Sequence, residues 1–139
     1  MANYYGKGRT NEFAVKDIDA LKEALKGTEV EVVQRGEGNT VVLLLDDGDC
    51  SDFSLYLWGD EEGAEDEYMF VPDMIAEHLQ PGQIAVFQHS GWEKLRYTDA
   101  WAIAVHSDGR QVRVSIHDVY DAAATEFGVD RSTISPARY

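Results

Sequence analysis

The chain has 139 residues, 44% of them apolar and 11% aromatic, with 26 acidic against 12 basic side chains and a formal charge of -14 at pH 7. That length suits one domain with its own core, and the apolar content excludes a chain held open by its charge. A single cysteine, Cys50, excludes a disulfide framework and a multi-cysteine zinc site and suits a reducing compartment.

Residues 1–11 show no clear period and are loosened by Gly6 and Gly8. Residues 12–16 alternate, with Phe13 and Val15 on one side, which predicts a short half-buried strand. Asp17 is placed as an N-cap, and Ile18, Leu21 and Leu25 recur at helical spacing before Gly27 closes the helix. Residues 29–34 and 40–45 predict a hairpin turning through residues 35–39, its second strand apolar throughout and so covered on both faces. Phe53, Leu55 and Leu57 alternate with Ser54, Tyr56 and Trp58 as in a further strand, and residues 59–67 have the composition of a solvated loop.

Pro72 sits at the start of a helix carrying Met74, Ile75, His78 and Leu79, which Pro81 and Gly82 end. Residues 84–89 predict a strand, and residues 90–99 a longer connection. Around Asp108 and Gly109, a two-residue turn would oppose Val105 to Val112, Ile103 to Val114 and Trp101 to Ile116, placing both apolar sets on one face. Ile116, Val119, Tyr120, Ala123 and Phe127 form the stripe of a last helix capped by Gly128, and residues 129–139 are expected along the surface. The order is β-α-β-β-β-α-β-β-β-α, an α+β single domain with a mainly antiparallel sheet and helices on one face.

The charge is segregated along this chain. Residues 36–93 hold 14 acids and no lysine or arginine, while the remaining 81 residues hold 12 of each sign. Ten of those acids are Asp46, Asp47, Asp49, Asp52, Asp60, Glu61, Glu62, Glu65, Asp66 and Glu67, interleaved with Tyr56, Trp58 and Tyr68. Such a surface repels nucleic acid and anionic lipid and attracts a basic protein. Duplex DNA carries a charge per ~1.7 Å of axis, so 14 carboxylates match roughly 24 Å of duplex. The interleaved aromatics would add packing that charge alone lacks.

Other chemistries find weaker patterns. His78, His89, His106 and His117 lie in no motif of known mechanics. Counted from Asp47 as a calcium loop, the sixth position is Asp52 instead of glycine and the twelfth is Trp58 instead of glutamate. Gly6, Lys7, Gly8, Arg9 and Thr10 lack the spacing of a phosphate loop. No catalytic residue, metal or cofactor is therefore expected. Nothing at the start reads as a signal peptide and no run reaches the ~20 apolar residues of a span, so a cytoplasmic protein is expected.

Asn3-Tyr4-Tyr5, Arg9-Thr10-Asn11, Phe13-Ala14-Val15-Lys16-Asp17, Lys94-Leu95-Arg96-Tyr97 and Ile116-His117-Asp118-Val119-Tyr120 resemble small acidic single-domain accessory proteins of bacterial plasmids and phages. The resemblance carries no catalytic residues. It implies a setting in which acidic proteins inhibit host defence, among them anti-restriction and anti-CRISPR mimics of DNA. The leading expectation is a non-enzymatic inhibitor whose acidic segment occupies the basic groove of a nucleic-acid-handling protein. The alternatives are an immunity or antitoxin-like protein that neutralises a basic toxin, and a small enzyme using a histidine.

Overall fold

The structure, a computed structural model, describes residues 4–47, 53–57, 67–93 and 97–137. Its first strand, β1 (Tyr4–Thr10), lies inside the sheet, paired on one side with β4 (Thr40–Asp47) and on the other with β7 (Ile84–Glu93). This corrects the expectation of a loose start. The inward positions of β1 are Gly6, Gly8 and Thr10, so the strand shows no apolar alternation. The space a side chain would take at Gly8 is filled by the ring of Phe53, whose Cζ would lie 2.9 Å from an added Cβ.

The chain then forms β2 (Phe13–Ala14), α1 (Ile18–Ala24) and β3 (Glu31–Gln34). Between the pairs Arg9↔Leu44 and Phe13↔Val41, three residues of the incoming chain face two of β4, a bulge. Thr10, buried, repairs the ladder there: its Oγ1 accepts from Leu43 N at 2.9 Å. Asn11 acts as a surrogate strand, accepting from Val86 N at 2.7 Å and donating to Ile84 O at 3.1 Å. Asp17 caps α1 as expected, accepting from Asp19 N and Ala20 N. The hairpin of β3 and β4 also forms, and Val41, Val42, Leu43 and Leu45 are all buried.

β5 (Ser54–Leu57) and β6 (Glu67–Phe70) make a separate two-stranded sheet. β6 was not expected, because Glu67 closes an acidic run that reads as loop. Phe53 precedes the hairpin, fully buried and at a φ of 70° that a bulky side chain rarely adopts. Its ring meets Phe87 edge-on at 5.2 Å, and its carbonyl accepts from Val71 N at 3.0 Å. α2 (Val71–Met74) continues as a 3-10 turn over Ile75–His78, and Val71, Pro72, Ile75 and Leu79 are buried.

β7 runs to Glu93 and β8 (Tyr97–His106) begins at Tyr97, so seven of the ten residues expected as a long connection over 90–99 are strand. Gly91, paired with Gly6, hides the inward alternation at that end. β9 (Gln111–Ser115) pairs with β8 one residue out of the expected register: Val105↔Gln111, Ala104↔Val112, Ile103↔Arg113 and Ala102↔Val114. Gly109 N donates to His106 O and His106 N to Arg110 O, both at 2.9 Å, so the loop holds three residues, 107–109, with Gly109 at φ 95°. A one-residue slip reverses the faces. Val112 and Val114 therefore stand on the side away from Ile103 and Val105.

The large sheet runs β2-β4-β1-β7-β8-β9, with β3 also on β4. One face carries the core, where Leu21 of α1 and Val71 and Ile75 of α2 and its extension pack on Phe13, Leu43, Phe53, Phe87 and Val105. The opposite face presents Lys7, Arg9, Gln88, Ser90, Val112 and Val114 to solvent. α3 (Asp118–Phe127) buries no residue, and Gly128 caps it at φ 65°. The class is α+β, with two strands more than expected. Among the described residues, no helix is long and apolar enough to cross a membrane.

Candidate protein-binding surface

The small hairpin flanks part of the acidic run in sequence. β5 and β6 pair Leu57 with Glu67 and Tyr56 with Tyr68, so the residues on either side of 58–66 stand at adjacent backbone positions. Tyr68 is 59% exposed, and its hydroxyl lies 3.1 Å from Ser54 Oγ across the strands. At the other end of the hairpin, Phe70 packs on Trp101 at 5.7 Å and lies under the Arg113 guanidinium at 5.8 Å. Phe53 and Phe70 thus clamp the hairpin to β7 and β8.

Among the expected site residues, Asp46 and Asp47 end β4, opposite Lys7 and Gly6 of β1. Tyr56, Glu67 and Tyr68 belong to the hairpin. Asp49, Asp52, Trp58, Asp60, Glu61, Glu62, Glu65 and Asp66 lie outside the described residues. Residues 48–52, outside the described residues, are flanked by Asp47 at the end of β4 and by the buried Phe53. Phe53 and Ser54 were read only as strand residues; a glycine at the facing position of β1 was the one signal of the anchor.

The histidines do not converge. His89 is buried against Trp101, ring centroids 5.3 Å apart. His78 Nε2 lies 3.5 Å from Glu77, and His106 Nδ1 accepts from Asp108 N at 3.1 Å. His117 Nε2 lies 3.3 Å from Asp99 Oδ1. The nearby Ser115 Oγ accepts from the backbone N of His117, at 3.1 Å, which does not make a nucleophile and base. Among the described residues, no three of His, Cys, Asp and Glu stand close enough to hold a metal.

Among the described residues, two carboxyls titrate below their ordinary value. The backbone N–H of Arg110, and after it the Arg110 guanidinium 2.7 Å away, lower Asp108; the Ser132 hydroxyl and N–H lower Asp130. Both are turn and cap carboxylates whose hydrogen bonds favour the charged form. Asp73 joins the hairpin's support to β9, accepting from Gln111 Nε2 at 2.9 Å and Arg113 at 3.1 Å. No protein-family model, curated protein or solved structure matches this chain.

Proposed function

We propose that this protein is a non-enzymatic inhibitor whose acidic segment competes with nucleic acid for the basic groove of a nucleic-acid-handling protein of host defence or a related system. One observation carries the reading: the whole formal charge of -14 resides in 58 continuous residues without a cation. The fold supports it, because the stretch that holds five acids between residues 58 and 66 is bracketed by paired strands on a buried aromatic anchor. A charged array supported by a rigid base loses less entropy on binding than the same acids on an open chain.

Electrostatic attraction of this kind speeds encounter and makes affinity fall with salt, while exposed aromatics such as Tyr68 slow release. The test replaces Asp60, Glu61, Glu62, Glu65, Asp66 and Glu67 by their amides. At roughly 0.3 kcal/mol or more for each neutralised charge, affinity for the basic partner falls by at least about twentyfold, and its salt dependence flattens. Unchanged affinity in a folded variant refutes the placement.

A further inference from the structure

Among the described residues, two apolar surfaces lack the partner that such surfaces require. α3 is a ten-residue helix with Val119, Ala123 and Phe127 at helical spacing, yet Val119 is 60% and Phe127 73% exposed. Isolated helices shorter than ~12–15 residues are marginal in water, so this one needs a packed face. On the sheet, the observed register turns Val112 and Val114 outward at 67% and 55% exposure, flanked by Ile84 and Ile116. Among the described residues, a sheet face without a helix and a helix without a sheet occur in one chain and do not meet within it.

We propose that a second copy of the chain closes both surfaces, α3 of each protomer lying across the open sheet face of the other in a two-fold dimer. The dimensions agree. From β1 to β9 the face spans three strand spacings, ~14 Å, and α3 is ~15 Å long. The area is sufficient as well. The exposed fractions of Ile84, Val112, Val114, Ile116, Val119 and Phe127 amount to more than three whole side chains. That is roughly 300–400 Å² at ~100 Å² each, most of the apolar share of the ~800 Å² per partner in a stable complex.

Charge selects a second copy over a foreign partner. α3 carries Asp118, Asp121 and Glu126 and no base, whereas the open sheet face presents Lys7 and Arg9, so the two surfaces of the chain complement each other in charge. One pair is complementary across the proposed interface. Arg9 heads the outward row Arg9↔Gln88↔Ala102↔Val114 and makes no ion pair among the described residues, and Glu126 stands exposed beside Phe127.

Sedimentation equilibrium of the full chain over roughly 1–200 µM tests this. The expected mass rises toward twice 15.6 kDa. Val114→Asp and Phe127→Asp, both at exposed positions, each weaken association at least about tenfold without altering the far-ultraviolet circular dichroism. Arg9→Glu weakens it too, and Arg9→Glu with Glu126→Arg restores it. A mass of 15.6 kDa throughout overturns the proposal. So does association that both aspartate variants leave unchanged, or a charge-swapped pair no tighter than Arg9→Glu alone.

Discussion

A methyl group at Gly8 would enter the space of the Phe53 ring, 2.9 Å from Cζ and nearer still to Cε2. Elsewhere in a strand, replacing glycine by alanine gains about 0.5–1 kcal/mol, so a loss at this position has a diagnostic sign. The ring cannot yield freely, being fully buried and edge-on to Phe87 at 5.2 Å. Overpacking of this kind costs about 1–3 kcal/mol, which for a domain of this size lowers Tm by about 3–9 °C. Phe53→Ala costs about 3–5 kcal/mol by itself and leaves a hole beside Gly8. In that background the Gly8 methyl fills part of the hole, so Gly8→Ala becomes neutral or stabilising and the two changes couple by at least about 1 kcal/mol. Urea unfolding of the four proteins, followed by tryptophan fluorescence, to which Trp101 at 6.3 Å from Phe53 contributes, measures the cycle. Equal cost of Gly8→Ala in both backgrounds refutes the account of the anchor.

Thr10→Val keeps the shape of the bulge but strands the Leu43 N–H, costing about 1–3 kcal/mol in urea unfolding and speeding exchange of that amide; Thr10→Ser retains the bond and most of the stability. The Asp108 carboxyl titrates below its ordinary 3.8 in the folded protein, so its contribution is present above that value and is lost as pH falls through the lower, folded midpoint. A carboxyl-resolved NMR titration checks it. Arg110→Ala moves the midpoint only part of the way back, because the backbone N–H at position 110 remains.

What the sequence displayed followed from where its apolar groups sit. α1 was legible because Asp17 and the Ile18, Leu21 and Leu25 spacing report a cap and one face, both local. β4 was legible because burial on both faces writes a continuous apolar run. β1 was hidden, since Gly6, Gly8 and Thr10 line its inner side and the hydrophobe that completes it is Phe53, more than 40 residues away. β6 was hidden by the charge of Glu67 and the residues before it. The β8 and β9 hairpin was legible in existence but not in register. Asp108 and Gly109 serve equally in a two-residue turn and in the three-residue loop found, and only backbone bonding separates the two. The stripe on α3 was legible as a stripe, and its exposure was not, because amphipathicity reports a need for packing and not its source. Of the acidic segment, the charge was fully legible, whereas the pairing of β5 with β6 on either side of residues 58–66 was not.

The central claim concerns competition for a basic groove, and the direct measurement is retention from a bacterial lysate on the immobilised protein, with elution by short duplex DNA or RNA and by salt. The variant carrying amides at Asp60, Glu61, Glu62, Glu65, Asp66 and Glu67 serves as the paired control. The account predicts that a nucleic-acid-handling protein is held by the native chain, released by the competing duplex or RNA and by salt, and not held by the variant. Retention that is identical on the two proteins, or that nucleic acid fails to displace, contradicts it.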